Sequence, residues 1–454
     1  MEQLLTSAKK MGFFKHLIVW LGLGCIVGYA AMYFGGASAG AYDAASINSG
    51  DTAWMLASAA LVMIMTPAVG FFYGGMVSSK NVISVIKQSM IILALISVQW
   101  VVFGYSLAFG PDAGHGIIGT LQYLGLRGVG FAPDPTYAGT IPALVFMIFQ
   151  AMFAIITPAL IIGAFVERIK FRTLVVFTLL WATFIYDPVA HWVWSPNGWL
   201  HAMGALDFAG GTVVHMTAGF SALAAALLVG HRLQKGSPGS SAGNLPFVIL
   251  GAALLWFGWF GFNAGSALAS GALAASAFVV TNTAAAAAAL TWVALSWAET
   301  KKPSAMAAAI GAVCGLVAIT PASGYVGPVA SIAIGILGGA ITYAAVYLRG
   351  RHMRVDDSLD VWAGHGIGGL TGAILTGVFA EKAINAAGAD GALFGNMHQL
   401  VVQIEAVVAV GIYSFVATWI ILKVLSLVMP LRVSEAEEMA GLDSAVHGES
   451  AYRM

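Results

Sequence analysis

Long apolar runs separated by short polar connections cover most of the chain. One such run extends from Ile91 to Val102 without a charged residue. A bilayer core of ~30 Å requires about 20 mostly apolar residues per helix, so the pattern predicts transmembrane helices rather than strands. The eleven predicted spans are 52–73, 82–109, 141–166, 173–189, 207–230, 245–265, 272–298, 305–320, 328–348, 360–380 and 399–428. We therefore expect an all-α polytopic membrane protein.

The composition of the 454-residue chain agrees with this fold class. Hydrophobic residues make up 59% of the chain and charged residues only 9%, whereas soluble proteins carry about 25% charged residues. The apolar content excludes a disordered chain, and a net charge of +0 argues against a nucleic-acid binder. The two cysteines, Cys25 and Cys314, allow neither a disulfide framework nor a cysteine-based metal site.

Lysine and arginine are distributed unequally between alternate connections. One set of connections, with the C-terminal tail, carries Lys80, Arg168, Lys170, Arg172, Arg232, Lys235, Lys301, Lys302, Arg349, Arg351, Arg354, Arg432 and Arg453, and the other set carries Arg127 and Lys382. Connections rich in basic residues face the cytoplasm. We therefore expect the first span to start outside the cell inner (cytoplasmic) membrane and the tail 431–454 to be cytoplasmic.

Residues 1–50 have the layout of a secretory signal peptide. Three lysines, Lys9, Lys10 and Lys15, precede the apolar stretch 17–34, and small residues follow it at 37–39. An uncleaved N-terminal anchor is the alternative, because the apolar stretch is long for a signal. Either segment delivers the following chain to the outside.

Short motifs recur in two halves of the chain. The tetrapeptide at 156–159 reappears at 319–322, and the pattern of a histidine followed four residues later by glycine occurs at His215 and again at His365. Two copies of five spans each have opposite orientations, as in transporters built from inverted repeats. We expect repeats at 52–230 and 245–380, a last helix at 399–428, and a site where the repeats meet.

Two histidines, His215 and His365, lie well inside predicted spans. Ionisable residues inside a membrane are costly and are usually functional. Because no cysteine or carboxylate lies beside them, a metal site is poorly supported and we expect none. Burial favours neutral imidazoles, which as a pair can offer one N–H donor and one acceptor nitrogen. Asp207 and Asp360 lie at the starts of the same spans, where each is expected to cap a helix.

Aromatic residues recur at helical spacing in two spans. The sets are Phe149 with Phe153, and Trp259 with Phe262 and the hydroxyl residue Ser266. An aromatic stripe ordinarily packs in a helical core. Together with Trp194, which is predicted in a short outer loop, these residues can instead form a cup that binds a cation through its rings.

Several of these motifs resemble those of one known family. The segment Asp207-Phe-Ala-Gly-Gly-Thr-Val-Val-His215 closely resembles the signature of the ammonium transporter (Amt/Mep/Rh) family. Further similar motifs, in chain order, are Phe72-Tyr-Gly-Gly75, Ser79-Lys-Asn81, Phe149-Gln-x-x-Phe153, Glu167-Arg168, Trp259-Phe-Gly-Phe-Asn-Ala-Gly-Ser266 and His365-Gly-x-x-Gly369. The resemblance covers residues 51–454 and includes the tail.

The resemblance implies a role for each site residue. Trp194, Ser266 and Phe149 match the residues that recruit ammonium, Phe153 and Phe262 the phenyl gate, and His215, His365 and Trp259 the pore. Asp207 matches an aspartate that supports the site without contacting the substrate. Ser195-Pro196-Asn197 departs from the expected glycine run, which predicts an outer cup of different shape.

The family is also expected to form a homotrimer and to be regulated by a PII-type protein at the cytoplasmic face. Under this hypothesis the tail 431–454 docks on that face, across a subunit boundary, and the PII-type protein binds near Arg349, Arg351 or Arg354. A disordered tail is the alternative.

The sequence thus predicts transport of ammonium without a cofactor. Ammonium is recruited outside and deprotonated, and ammonia passes the two histidines. The alternative is an ammonium sensor that signals through a PII-type partner with little flux. An intramembrane hydrolase is not expected, because the chain shows no Ser/His/Asp or metal constellation.

Overall fold

The computed structural model describes residues 43–233 and 242–452, so the predicted signal or anchor lies almost entirely outside the described residues. Ten helical segments in the described ranges are long and apolar enough to cross a membrane. They are α1 (Ser49–Met76), α2 (Val82–Phe109), α3 (Ala143–Ala164), α4 (Phe171–Ala202, interrupted at 195–198), α5 (Gly211–Val229), α6 (Leu245–Ala264), α7 (Ala272–Thr300), α8 (Ala305–Ala322), α9 (Pro328–His352) and α11 (Met397–Val428).

The remaining predicted span corresponds to α10, a π-helical turn at Trp362–Ile367 continued by the helix Gly368–Phe379. Its glycines and its histidine make it less apolar than the other segments, which explains why its composition alone does not mark it as a span. It packs against α8, α9 and α11 within the bundle. The expected all-α membrane fold is confirmed.

Two short strands, β1 (Pro133–Asp134) and β2 (Ala138–Pro142), pair antiparallel in the connection between α2 and α3. This connection and the one at 195–210 lie on one face, which we call the loop side. The opposite face carries the C-terminal tail and is called the tail side.

Helices α5 and α10 cross at a point where each helix carries a glycine. A Cβ atom on Gly219 would lie 2.0 Å from the backbone nitrogen of Gly366, so any side chain there would push the helices apart. His215 lies one turn from Gly219, and His365 directly precedes Gly366. The close crossing therefore brings the matched histidines of the two halves together.

The C-terminal tail lies against the tail side of its own chain. It contains α12 (Glu435–Ala440) and a π-helical turn at Asp443–His447. The carboxylate of Asp443 accepts hydrogen bonds from the backbone N–H groups of Ile83 (3.0 Å) and Ser84 (2.7 Å) at the start of α2. The Tyr452 hydroxyl accepts one from the Asn244 side chain at 3.0 Å. The tail thus docks on its own chain, and docking across a subunit boundary on the cytoplasmic face stays a prediction.

Candidate functional site

The rings of His215 and His365 face each other in the middle of the bundle. Their centroids are 5.3 Å apart with an interplanar angle of 15°, and their Nδ1 atoms are 3.2 Å apart. Each histidine belongs to a π-helical turn, at Gly211–Met216 and Trp362–Ile367. A π turn widens the helix by one residue and is frequent at functional sites.

The contact between the two Nδ1 atoms determines what the pair can offer a substrate. One Nδ1 must donate and the other must accept, because two N–H groups or two lone pairs cannot bond to each other. In a neutral pair, one Nε2 is then a donor and the other an acceptor. The Nε2 of His215 has no hydrogen-bond partner in the described part of the chain. The pair predicted from the sequence is therefore present, with hydrogen-bonding capacity left over.

Three cavities follow one another along the bundle. A loop-side cavity of about 290 Å³ reaches Phe153, Trp194 and Ser266. A tail-side cavity of about 260 Å³ ends at His365. Between them a histidine cavity of only about 10 Å³ is lined by His215, His365, Trp259 and Phe262 among others. A cavity needs roughly 10–15 Å³ to hold one water molecule, so this constriction admits one small molecule at most.

Two phenylalanine rings separate the loop-side cavity from the histidine cavity. Phe153 of α3 and Phe262 of α6 have centroids 4.2 Å apart. Phe262 lies 5.9 Å from the His215 ring, and Trp259 stacks on the same imidazole at 5.3 Å. The Trp259 Nε1 donates to the Thr320 hydroxyl at 2.8 Å, which fixes its orientation. The two aromatic sets noted in the sequence therefore converge on one path.

Ser266 and Phe149, which the sequence predicts to recruit the substrate, occupy different places. The Ser266 hydroxyl lines the loop-side cavity and donates to the Phe262 carbonyl at 2.8 Å, which leaves its lone pairs as acceptors. Phe149 is fully buried and packs edge-on against Phe153 at 5.0 Å without lining that cavity. Phe149 thus packs against the Phe153 ring on the side away from the cavity.

The sequence predicted Trp194 in a short loop, but in the structure it belongs to a helix. It is the last residue of the helix Asp187–Trp194, because the helical part of α4 extends beyond the predicted end at residue 189. Its Nε1 donates to the Asp207 carbonyl at 2.9 Å, and its ring stands perpendicular to Phe153 at 5.8 Å. The tryptophan therefore forms a rigid wall of the loop-side cavity.

Asp207 caps α5 as expected. Its two carboxylate oxygens accept from the backbone N–H groups of Gly210, Gly211, Thr212 and Val213 at 2.6–3.2 Å, and also from the Thr212 hydroxyl. These groups are the unpaired donors at a helix start. α5 consequently begins at Gly211 rather than at residue 207.

The cap predicted at Asp360 is wrong. Asp360 has a backbone φ of 57° and pairs with Arg349, whereas Asp357 accepts from the Trp362 N–H at 2.7 Å at the start of α10. A signal for Asp357 was present in the sequence. Asp357 precedes His365 by the same eight residues that separate Asp207 from His215.

A buried charged cluster underlies the tail. The Arg168 guanidinium is fully buried and donates to the carbonyls of Ala164, Gly230 and Asp356 and to the Ser358 hydroxyl. Burial lowers the pKa of Arg168 to about 10. Its backbone carbonyl accepts from Val433 N–H of the tail at 3.0 Å. Because Ser358 lines the tail-side cavity, this cluster connects the docked tail to the cavity wall.

A second arginine holds two carboxylates in the same cluster. Arg232 pairs with Glu167 at 3.0 Å and with Asp356 at 2.9 Å. Burial acts to raise the pKa of Glu167, but the Arg232 charge and the hydrogen bonds from Ser78, Arg232 and Asn81 together outweigh it, and the pKa is lowered. The cluster is therefore charged at neutral pH. Within the described residues, no group of three His, Cys, Asp or Glu side chains is arranged to hold a metal ion.

Comparison with known proteins identifies the family. The model of the Ammonium Transporter Family matches residues 53–452, which is most of the chain. The chain belongs to this family. The ammonium transporter of Bacillus subtilis (strain 168) is 50% identical to this chain over 404 residues. The alignment covers 89% of this chain and 98% of that protein. The ammonium transporter Amt1 of Archaeoglobus fulgidus is 45% identical over 406 residues, covering 89% and 100%.

Solved structures show the same fold. The crystal structure of Saccharomyces cerevisiae Mep2 is similar to this family member with a TM-score of 0.81 and 35% identity, over 86% of this chain and 89% of that chain. A structure described as a sensor Amt protein is similar with a TM-score of 0.80 and 31% identity, over 87% and 98%.

Proposed function

We propose that this chain transports ammonium nitrogen across the cell inner membrane, capturing the cation on the loop side and conducting ammonia past His215 and His365. The observation that carries this proposal is the histidine cavity. It is apolar and nearly closed, and it offers neutral hydrogen-bonding groups without a fixed charge. Such a passage favours a small neutral polar molecule over a hydrated ion.

Capture takes place in the loop-side cavity, and none of the described residues that line it carries a carboxylate. The polar residues there are Thr136, Tyr137, Gln150, His201 and Ser266. Burial raises the pKa of Tyr137 to about 12, so its phenol is neutral. The cation is held by the faces of aromatic rings and by hydroxyl lone pairs. A cation on a partly desolvated tryptophan face gains about 1–2 kcal/mol.

At the ring pair of Phe153 and Phe262 the ammonium ion gives its proton to water on the loop side and enters the histidine cavity as ammonia. Potassium has a size and charge similar to those of ammonium, so a pore that binds any monovalent cation of this size discriminates poorly between them. Only ammonium can lose a proton and continue as a neutral molecule. Beyond the rings, the spare donor and acceptor of the histidine pair bind ammonia in passage, and it regains a proton in the tail-side cavity.

The orientation in the membrane follows from the charge distribution. The connections and tail gathered on the tail side carry most of the basic residues, so that side is cytoplasmic under the positive-inside rule. Transport is favoured over sensing because the family model and the relatives of highest identity reported above are transporters, whereas the sensor is similar at 31% identity.

Substitution of Trp194 tests capture. Trp194→Leu is expected to weaken the apparent affinity for ammonium by about 1–2 kcal/mol, because it removes the cation–π surface. Concentration-dependent uptake of ammonium into proteoliposomes measures this change. Trp194→Phe is the matched control, since it keeps a ring but removes the hydrogen bond to the Asp207 carbonyl. An unchanged apparent affinity for ammonium in Trp194→Leu would show that Trp194 serves only as an interfacial anchor.

We further propose a homotrimer whose docked tails communicate pore state to a PII-type protein on the cytoplasmic face. Arg349 is engaged by Asp360, whereas Arg351, which lies over the Tyr347 ring at 4.0 Å, and Arg354 are exposed. These two arginines are the better candidates for contacts with acidic groups of a partner.

Mixed trimers test the coupling between subunits. Wild-type subunits combined with subunits that lack residues 431–454 are expected to lose flux out of proportion to the truncated fraction. The reason is that, in the proposed trimer, a tail that also contacts the neighbouring subunit lets one truncation affect two pores. Flux per trimer, measured over a series of mixing ratios, gives the answer. Flux strictly proportional to the number of intact subunits would contradict coupling.

A further inference from the structure

His201 is the histidine in the lining of the loop-side cavity. It lies on the short helix Trp199–Ala202 and is exposed. The helix is held firmly, because Leu200 is fully buried and Trp199 N–H donates to the Gly116 carbonyl at 3.2 Å. The backbone that carries the His201 side chain is therefore held at the mouth of the path.

The ring of His201 has a defined tautomer. Its Nδ1 lies 3.3 Å from the Val193 carbonyl oxygen, which can only accept, so Nδ1 carries the proton. In the neutral ring Nε2 then has a free lone pair. Val193 directly precedes Trp194, so the hydrogen bond joins the His201 ring to the helix end that carries the tryptophan.

We propose that the Nε2 of His201 is a further acceptor for the N–H groups of the incoming ammonium ion, and of small primary alkylammonium ions. This inference rests on the proposed capture in the loop-side cavity. Ammonium has four N–H donors and loses its hydration shell on entry, so it needs acceptors in addition to ring faces. Ser266 supplies one such acceptor and His201 supplies a second, in a lining whose other polar residues are Thr136, Tyr137 and Gln150.

The test separates the Michaelis constant from the maximal rate of uptake in proteoliposomes. His201→Ala removes one hydrogen-bond acceptor for the cation. We expect it to raise the KM for ammonium about three- to tenfold at an unchanged maximal rate. His201→Gln keeps a neutral acceptor and is expected to restore most of the affinity. His201→Lys places a fixed positive charge there and is expected to raise the KM beyond that of His201→Ala.

The matched control is His398→Ala, an exposed histidine on the loop side that does not line the cavity, and it is expected to leave the KM unchanged. A wild-type KM in His201→Ala would overturn the inference, as would equal losses in the alanine, glutamine and lysine variants. If Trp194→Leu still raises the KM in that case, only the role of His201 fails. If neither variant changes the KM, capture in this cavity fails as a whole.

Discussion

Replacing His215 or His365 by aspartate is expected to let potassium through the pore. A carboxylate in the histidine cavity adds a fixed negative charge, attracts water and stabilises a cation where the native pair offers only neutral groups. A unit charge at 4 Å contributes about 4 kcal/mol at an effective dielectric constant of 20, so potassium flux should rise at least tenfold. Potassium and methylammonium fluxes in proteoliposomes made with each single variant measure the change in selectivity.

The neutral variants His215→Asn and His365→Asn serve as controls. They disturb the pair without adding charge, so they are expected to reduce ammonium flux while potassium stays excluded. Unchanged potassium exclusion in both aspartate variants would remove the histidines from the selectivity mechanism.

Asp207→Ala is expected to cause the largest loss of stability among the site residues. The substitution leaves four backbone N–H groups and the Thr212 hydroxyl without their acceptor in a buried place. Loss of a helix cap together with unpaired buried donors costs on the order of 2–4 kcal/mol. Thermal unfolding of the purified protein and its ammonium flux should both decline.

Asp207→Asn provides the comparison, because the amide keeps one oxygen as an acceptor. We expect it to retain a substantial part of the stability that the alanine variant loses. A melting temperature of Asp207→Ala equal to that of the wild type would show that the helix start does not depend on this carboxylate.

The sequence predicted the helices well because apolar length is a strong constraint in a membrane. The spans follow from such patterns, and the repeated motif placed His215 and His365 deep in matching spans without establishing that their rings meet. The π-helical turns that hold both histidines have no comparable signal, since they depend on how neighbouring helices pack. The end of α4 was also misplaced, because Trp194 continues a helix whose last turn lies above the predicted apolar stretch.

The error at Asp360 has a different cause. Four acidic residues, Asp356, Asp357, Asp360 and Glu381, flank the tenth span, and position alone favours the one nearest to it. The structure assigns the cap to Asp357 because Asp360 turns away into a left-handed backbone conformation and pairs with Arg349. Comparing the spacing to the histidine in the two repeats would have identified Asp357.

Uptake of isotopically labelled ammonium by the wild-type protein in sealed proteoliposomes tests the central claim most directly. Equal inward gradients of ammonium and of potassium are applied in parallel, and protein-free vesicles give the background. The account predicts saturable accumulation of ammonium nitrogen well above that background and no uptake of potassium. Saturable binding of ammonium to the protein without accumulation inside the vesicles would contradict it and would favour a sensor.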